Sequence, residues 1–173
     1  MNDQPDAAPS PGKVVITYLE MHARPTHLNL APPSRDLAIA QAKPPTISFY
    51  RYLYDTVGGG WQWRDRHVMS DETLGAIVQH PLVETHVLYA DGTPAGYAEL
   101  DRRQPNEIEL AYFGLIPEFI GRGLGSYLLH WAIDRAWSYG PSRFWVHTCT
   151  LDHPKALPNY ENAGFRRYKV EEK

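Results

Sequence analysis

The run Gly121-Arg122-Gly123-Leu124-Gly125-Ser126 constrains this chain more than any other stretch. It joins an apolar segment, residues 107–115, to a long amphipathic one. In the second segment Leu124, Leu128, Leu129, Ala132, Ile133 and Ala136 fall on one helical face, and Ser126, His130, Asp134 and Ser138 on the other. Glycines at such a junction let the backbone turn tightly and approach a ligand with no Cβ in the way. The first N–H groups of the following helix are unpaired donors, and they form a positive pocket suited to phosphate oxygens. A glycine-rich helix entry with no ligand is the alternative. Two familiar loops are excluded. A dinucleotide fingerprint needs glycine where Ser126 stands and follows a parallel strand, whereas this loop follows an antiparallel meander. A Walker loop needs a Gly-Lys-Ser/Thr triplet, which the chain lacks.

The rest of the chain sets the architecture. Residues 1–12, proline-rich and polar, read as a disordered tail, and residues 13–173 as a single domain. Residues 14–21 read as a first strand. Pro32, Pro33, Pro44 and Pro45 leave room for only a short helix over residues 35–42. An aromatic helix, a mobile glycine loop at Gly58-Gly59-Gly60 and a second aromatic patch follow. Asp71 opens a short helix that stops before Pro81. Asp91-Gly92-Thr93 marks a tight antiparallel hairpin, and Asn106 starts a third consecutive strand. Beyond the long helix come a strand over residues 143–150, a short helix holding Pro158 near its first turn, and a last strand. The expected fold is α+β: a mixed, mostly antiparallel central sheet of six to seven strands with helices on both faces.

Composition excludes several function classes. A net charge of −3 and a pI near 6.2 argue against a general nucleic-acid binder. No stretch approaches the roughly 20 apolar residues of a membrane helix. Cys149, the one cysteine, rules out an intramolecular disulfide framework and fits a reducing compartment. The N-terminus holds Asp3 and Asp6 and no apolar leader, so a cytoplasmic location is expected.

Three separated elements now arrive in a recognisable order. They are the segment ELAYFGLIPEFIGRGLGSYLL, the long helix, and a terminal Tyr160 followed by Gly164-Phe165. Together, over roughly residues 84–170, they resemble the GNAT superfamily of acetyl-CoA-dependent N-acetyltransferases. One position departs: Ile120 stands where the family usually has Gln or Arg. The resemblance implies that main-chain N–H groups of Gly121, Arg122, Gly123, Leu124, Gly125 and Ser126 hold the CoA pyrophosphate, with Arg122 supplying some side-chain help. It further implies a pantetheine arm beside Phe113, Gly114 and Leu115, acetyl-CoA as co-substrate, and no metal.

Attack of an amine on a thioester needs a proton acceptor, an oxyanion donor and an acid for the leaving thiolate. Glu109 is the expected base, directly or through water, because strand alternation groups it with Ala111, Phe113 and Leu115. A solvated strand-face residue is the competing reading, and His147 an alternative acceptor. Tyr160 matches the family's general acid; packing in the core is its competing role. A backbone N–H near Leu115 is the expected oxyanion donor, with Gly114 permitting a bulge. His147, Cys149, Asp152 and His153 lie close in sequence but match no standard zinc spacing. Tyr54, Trp61 and Trp63 are expected to line the acceptor side, gripping a small-molecule or protein amine. A non-catalytic acyl-CoA-binding module on the same fold is the second function class. Nothing in the sequence sets the oligomeric state, a homodimer included.

Overall fold

The hairpin Asp91-Gly92 nucleates the regular part of the molecule. Both residues take positive φ (50° and 82°), the geometry of a type I′ turn, which Asp-Gly favours and which matches the twist of paired strands. It joins β3 (Val83–Ala90) to β4 (Thr93–Asp101), and β5 (Glu107–Leu115) extends the meander. The computed structural model describes residues 12–173, so the expected tail lies outside the described residues apart from Gly12. The other strands are β1 (Val15–Met21), β2 (Leu37–Ala42), β6 (Arg143–Cys149) and β7 (Arg166–Glu172). The helices are α1 (Ile47–Gly58), α2 (Asp71–Val78), α3 (Leu124–Trp137) and α4 (Ala156–Ala163). The strands form one sheet in the order β2-β3-β4-β5-β6-β1-β7, antiparallel except for β5 against β6. No helix among the described residues is long and apolar enough to cross a membrane.

Two apolar layers cover the sheet. On one face α3 and α4 bury Leu128, Ile133 and Tyr160 against Leu88, Leu110 and Phe144. On the other, α1 and α2 bury Leu53, Val57 and Leu74 against Val87 and Tyr97. Thr46 and Ser70 cap α1 and α2 by accepting from the N–H groups of Phe49 and Thr73, which fixes where each helix starts.

Three expectations require correction. Residues 37–42 form strand β2, not a helix, pairing from Leu37 with Ala90 to Ala42 with Thr85. Their alternation sends Leu37 and Ile39 to the α3 core, and β3 offers an open edge; both outweigh the weak helix preference of alanine. The triple glycine is no loose loop: Gly58 closes α1 and Gly59–Trp61 make a 3-10 turn. The β5 bulge falls at Ala111, not Gly114, because Leu100 faces Leu110 whereas Glu99 faces Tyr112. One extra residue reverses the side-chain alternation beyond it. Glu109 therefore shares its face with Tyr112 and Gly114, not with Phe113 and Leu115.

The C-terminal turn of α3 is tied to β3 by a buried carboxylate. Glu84 accepts hydrogen bonds from Arg135 Nη2 (2.7 Å) and the Tyr139 hydroxyl (2.8 Å), with His86 Nε2 at 3.5 Å. Burial pushes the Glu84 carboxyl up, but hydrogen bonds from His86, Arg135 and Tyr139 outweigh it and hold the group at about 2 against an ordinary 4.5. A depressed folded-state value stabilises the fold above pH 4.5, and that contribution is lost as pH falls toward 2. It amounts to about 3 kcal/mol, the free energy of two to three pH units. Glu84→Gln is expected to flatten the acid limb of a melting-temperature profile between pH 4.5 and 2. An unchanged limb would assign acid sensitivity to other carboxylates.

Candidate active site

Strands β5 and β6 pair only from Glu107 with Arg143 to Glu109 with Trp145. Beyond that point they part, while β5 stays bonded to β4 as far as Leu115. The gap opens into a cleft of about 660 Å³. Its walls bring together the glycine loop, the end of β5, Tyr160, and the aromatic residues Tyr54, Trp61 and Trp63. Elements distant in sequence meet here because the sheet splays.

The loop has the expected backbone. Gly121 and Gly123 take φ of +88° and +76°, where an L side chain is strained. Gly123 is the N-cap of α3 and provides no side-chain acceptor. The helix begins at Leu124, so the N–H groups of Leu124, Gly125 and Ser126 have no acceptor within it. Gly121, Gly123, Gly125 and Ser126 line the cleft. Leu124, expected to contribute only its main-chain N–H, turns its side chain into the core. The Arg122 guanidinium, from which side-chain help was expected, lies over the Phe119 ring at 5.3 Å.

Phe113, Gly114 and Leu115 form the β5 wall. The Ile116 N–H donates to Ala95 on β4 (2.8 Å). Strand alternation therefore turns the N–H groups of Leu115 and Phe113 away from β4, into the gap. Gly114 serves packing: a Cβ there would stand 2.6 Å from Val57 Cγ1.

Tyr160 packs between Phe113 and Phe165, with ring centroids at 6.2 and 5.9 Å. Burial and the nearby Asp152 charge push its phenol well above the ordinary value of 10, so it keeps its proton. Glu109 does not line the cleft; it borders a separate hollow with Asp101, Arg103 and Trp145. His147 does line the cleft, and its Nδ1 lies 3.5 Å from Glu109 Oε1. The carboxylate thus meets the cleft through an imidazole. Burial pushes the Cys149 thiol up, which disfavours the thiolate a nucleophile needs. The described residues contain no group of three or more His, Cys, Asp or Glu able to hold a metal.

The aromatic side of the cleft reaches across to the β6–α4 connection. Trp63 Nε1 donates to Asp152 Oδ1 (3.3 Å), and the Trp61 ring meets His153 edge-on at 4.9 Å. Asp152 also accepts from Thr148 Oγ1 (2.7 Å) and the Cys149 N–H (2.9 Å). The sequence reading considered Asp152 only within a metal or nucleophile cluster. Its position three residues after Cys149, where an Asp side chain can close a turn, was the available signal. Gly58 makes room for Trp63, whose ring atoms would lie 2.3–2.5 Å from a Cβ at that position.

Comparisons with known proteins fit this geometry. Over a 76-residue stretch the chain is 37% identical to the mycothiol acetyltransferase of Acidothermus cellulolyticus, covering 44% of this chain and 22% of that protein. The chain therefore spans about a fifth of the length of that curated relative. A GCN5-related N-acetyltransferase from Kribbella flavida superposes with a TM-score of 0.63 at 15% identity, over 90% of this chain and 55% of that one. The ribosomal-protein-S18-alanine N-acetyltransferase from Escherichia coli superposes with a TM-score of 0.61 at 19% identity, over 77% and 79%. These two likenesses concern the fold. The model of the acetyltransferase (GNAT) family matches residues 43–165, a span that takes in the glycine loop, the splayed strands and Tyr160. On that match the chain belongs to the acetyltransferase (GNAT) family.

Proposed function

We propose that the protein transfers an acetyl group from acetyl-CoA to a primary amine by direct attack, with no covalent enzyme intermediate. The observation that carries this reading is that one cleft holds both an unpaired helix N-terminus behind a glycine-rich loop and a protonated buried tyrosine. The N–H groups from Gly121 to Ser126 suit the pyrophosphate of CoA. Its pantetheine arm fits along Phe113, Gly114 and Leu115, where β5 has parted from β6.

In this reading the carbonyl oxygen of the thioester accepts a hydrogen bond from the Leu115 N–H, which strengthens as negative charge develops on it. The amine attacks the carbonyl carbon, the C–S bond breaks, and Tyr160 donates its proton to the departing sulfur. His147 takes the proton from the amine, and Glu109 orients its ring and balances the imidazolium charge. The proton-accepting part is thus a pair, with Glu109 acting one residue removed from the substrate. The neutral Cys149 thiol supports transfer without an acyl-enzyme. Trp61, Trp63 and Tyr54 form the acceptor side, with the amine held against aromatic faces.

The test is a thermal-shift titration with CoA, followed by thiol release and mass-spectrometric product detection. Acceptors are polyamines, amino acids, aminoglycosides and peptides bearing a free N-terminus or lysine. CoA is expected to stabilise the fold, and at least one amine to release thiol with formation of its acetylated product. Stabilisation by CoA with no acetylated product from any class would favour the non-catalytic acyl-CoA-binding module.

A further inference from the structure

Residues 61–65 line the cleft from a segment with little regular structure of its own. Its backbone bonds are few: the Trp63 N–H to the Gly58 carbonyl (3.2 Å), Val68 to Arg64 (3.3 Å) and Met69 to Arg66 (3.3 Å). No ladder holds Trp61 and Trp63 over the site, so side chains must hold this segment.

Arg66 is placed to do this. It follows the cleft-lining residues and turns inward, leaving its side chain 8% exposed. The guanidinium meets the carboxylate of Glu99, which is fully buried at the centre of β4, and the Tyr50 hydroxyl. It lies over the Tyr112 ring at 4.5 Å, and the Arg66 backbone N–H donates to the Tyr54 hydroxyl (3.2 Å). Tyr54 and Tyr112 are the rings on which Trp63 rests, at 5.4 and 5.1 Å. The cation therefore sits directly behind the aromatic wall of the cleft. From the outer side Arg51 holds the same segment through the carbonyls of Arg66 (3.4 Å) and Met69 (2.7 Å).

Stability alone does not account for the buried pair. Removing both charges from water offsets most of their attraction, and an apolar pair of similar volume generally serves a core as well or better. Nor is the network tuned for hydrogen bonding, since Glu99 Oε2 is buried without a partner among the described residues. What a planar cation with several fixed donors adds is location. We propose that Arg66 is a positioning residue: its buried pairing with Glu99 sets where Trp61 and Trp63 stand, and thereby the fit of the acceptor. The kinetic part of this proposal rests on the amine-transfer reading above.

The test replaces both charges at once, combining Arg66→Met with Glu99→Leu in the full chain. Melting temperature is expected to stay within a few degrees of the parent. Hydrogen exchange across residues 59–70 is expected to accelerate by roughly 10-fold or more, with the sheet unchanged. The acceptor KM is expected to rise about 5-fold or more while the acetyl-CoA KM holds. A stable double variant with parental exchange and parental acceptor KM would overturn the proposal. If the double variant does not fold, Arg66→Lys gives the same decision. It leaves the Glu99 charge matched but removes the planar group, and parental exchange and KM in it would equally overturn the proposal. Exchange needs no acceptor. If the parent acetylates no amine, the amine-transfer reading fails and the exchange result alone decides the role of Arg66.

Discussion

Gly123→Val is expected to weaken CoA binding by roughly 100-fold or more while leaving the fold intact, as read by calorimetric titration alongside circular dichroism. The two halves of that expectation have separate causes. A Cβ at this position would meet only Pro33, at 3.9 Å, so nothing in the core is disturbed. The backbone, however, stands at φ +76° at the N-cap of α3, where a β-branched residue costs well over the roughly 1–2 kcal/mol of an ordinary left-handed residue. The chain relieves that strain by rotating the peptides on either side. The rotation re-aims the N–H groups proposed to hold the phosphates, so that a dianionic ligand would lose several charge-assisted bonds together. Unchanged CoA affinity in a folded Gly123→Val protein would remove the loop from the cofactor site.

Tyr160→Phe is expected to lower kcat by roughly 100-fold with the acetyl-CoA KM little changed, since a general acid acts only as thiolate charge develops. The ring itself is held by apolar neighbours, Phe113 and Phe165, so phenylalanine keeps the packing and loses only the proton-donating hydroxyl. Steady-state rates at saturating acceptor, with a melting curve as control, separate the chemical loss from a structural one. Parental kcat in the phenylalanine variant would place the proton source elsewhere.

How far the sequence was legible depended on the range of the forces involved. The hairpin was readable because Asp91 and Gly92 satisfy a local backbone demand, and the glycine loop for the same reason. Strand β2 was not, because the open edge of β3 that recruits residues 37–42 is about fifty residues away in the chain. Nor was the bulge at Ala111, which is a matter of register between two strands. That single inserted residue separates Glu109 from the face that carries Phe113 and Leu115, and it is His147 on β6 that lines the cleft. The density of aromatics in residues 49–66 pointed to one side of the cleft. Nothing local singled out Arg66 there, since its partner Glu99 is thirty-three residues on. Asp152 was misread in a similar way, because its meaning comes from Trp63, eighty-nine residues earlier.

The place of β1 in the sheet has a consequence for how the molecule is assembled. This strand, near the start of the described chain, lies between β6 and β7, and β7 has no other neighbour among the described residues. At the far end of the pairing Val14 and Lys173 exchange two backbone hydrogen bonds of 2.8 Å. A ribosome therefore releases β1 long before either of its flanking strands exists. The segment must wait, unpaired and rich in β-branched residues, until β6 and β7 have emerged, and contacts of such sequence separation close slowly. Because β6 touches β5 through only three residue pairs, arrival of the oldest strand is also what steadies the far wall of the cleft. The cleft is then among the last features to mature, although the glycine loop at its edge can form early from neighbouring residues.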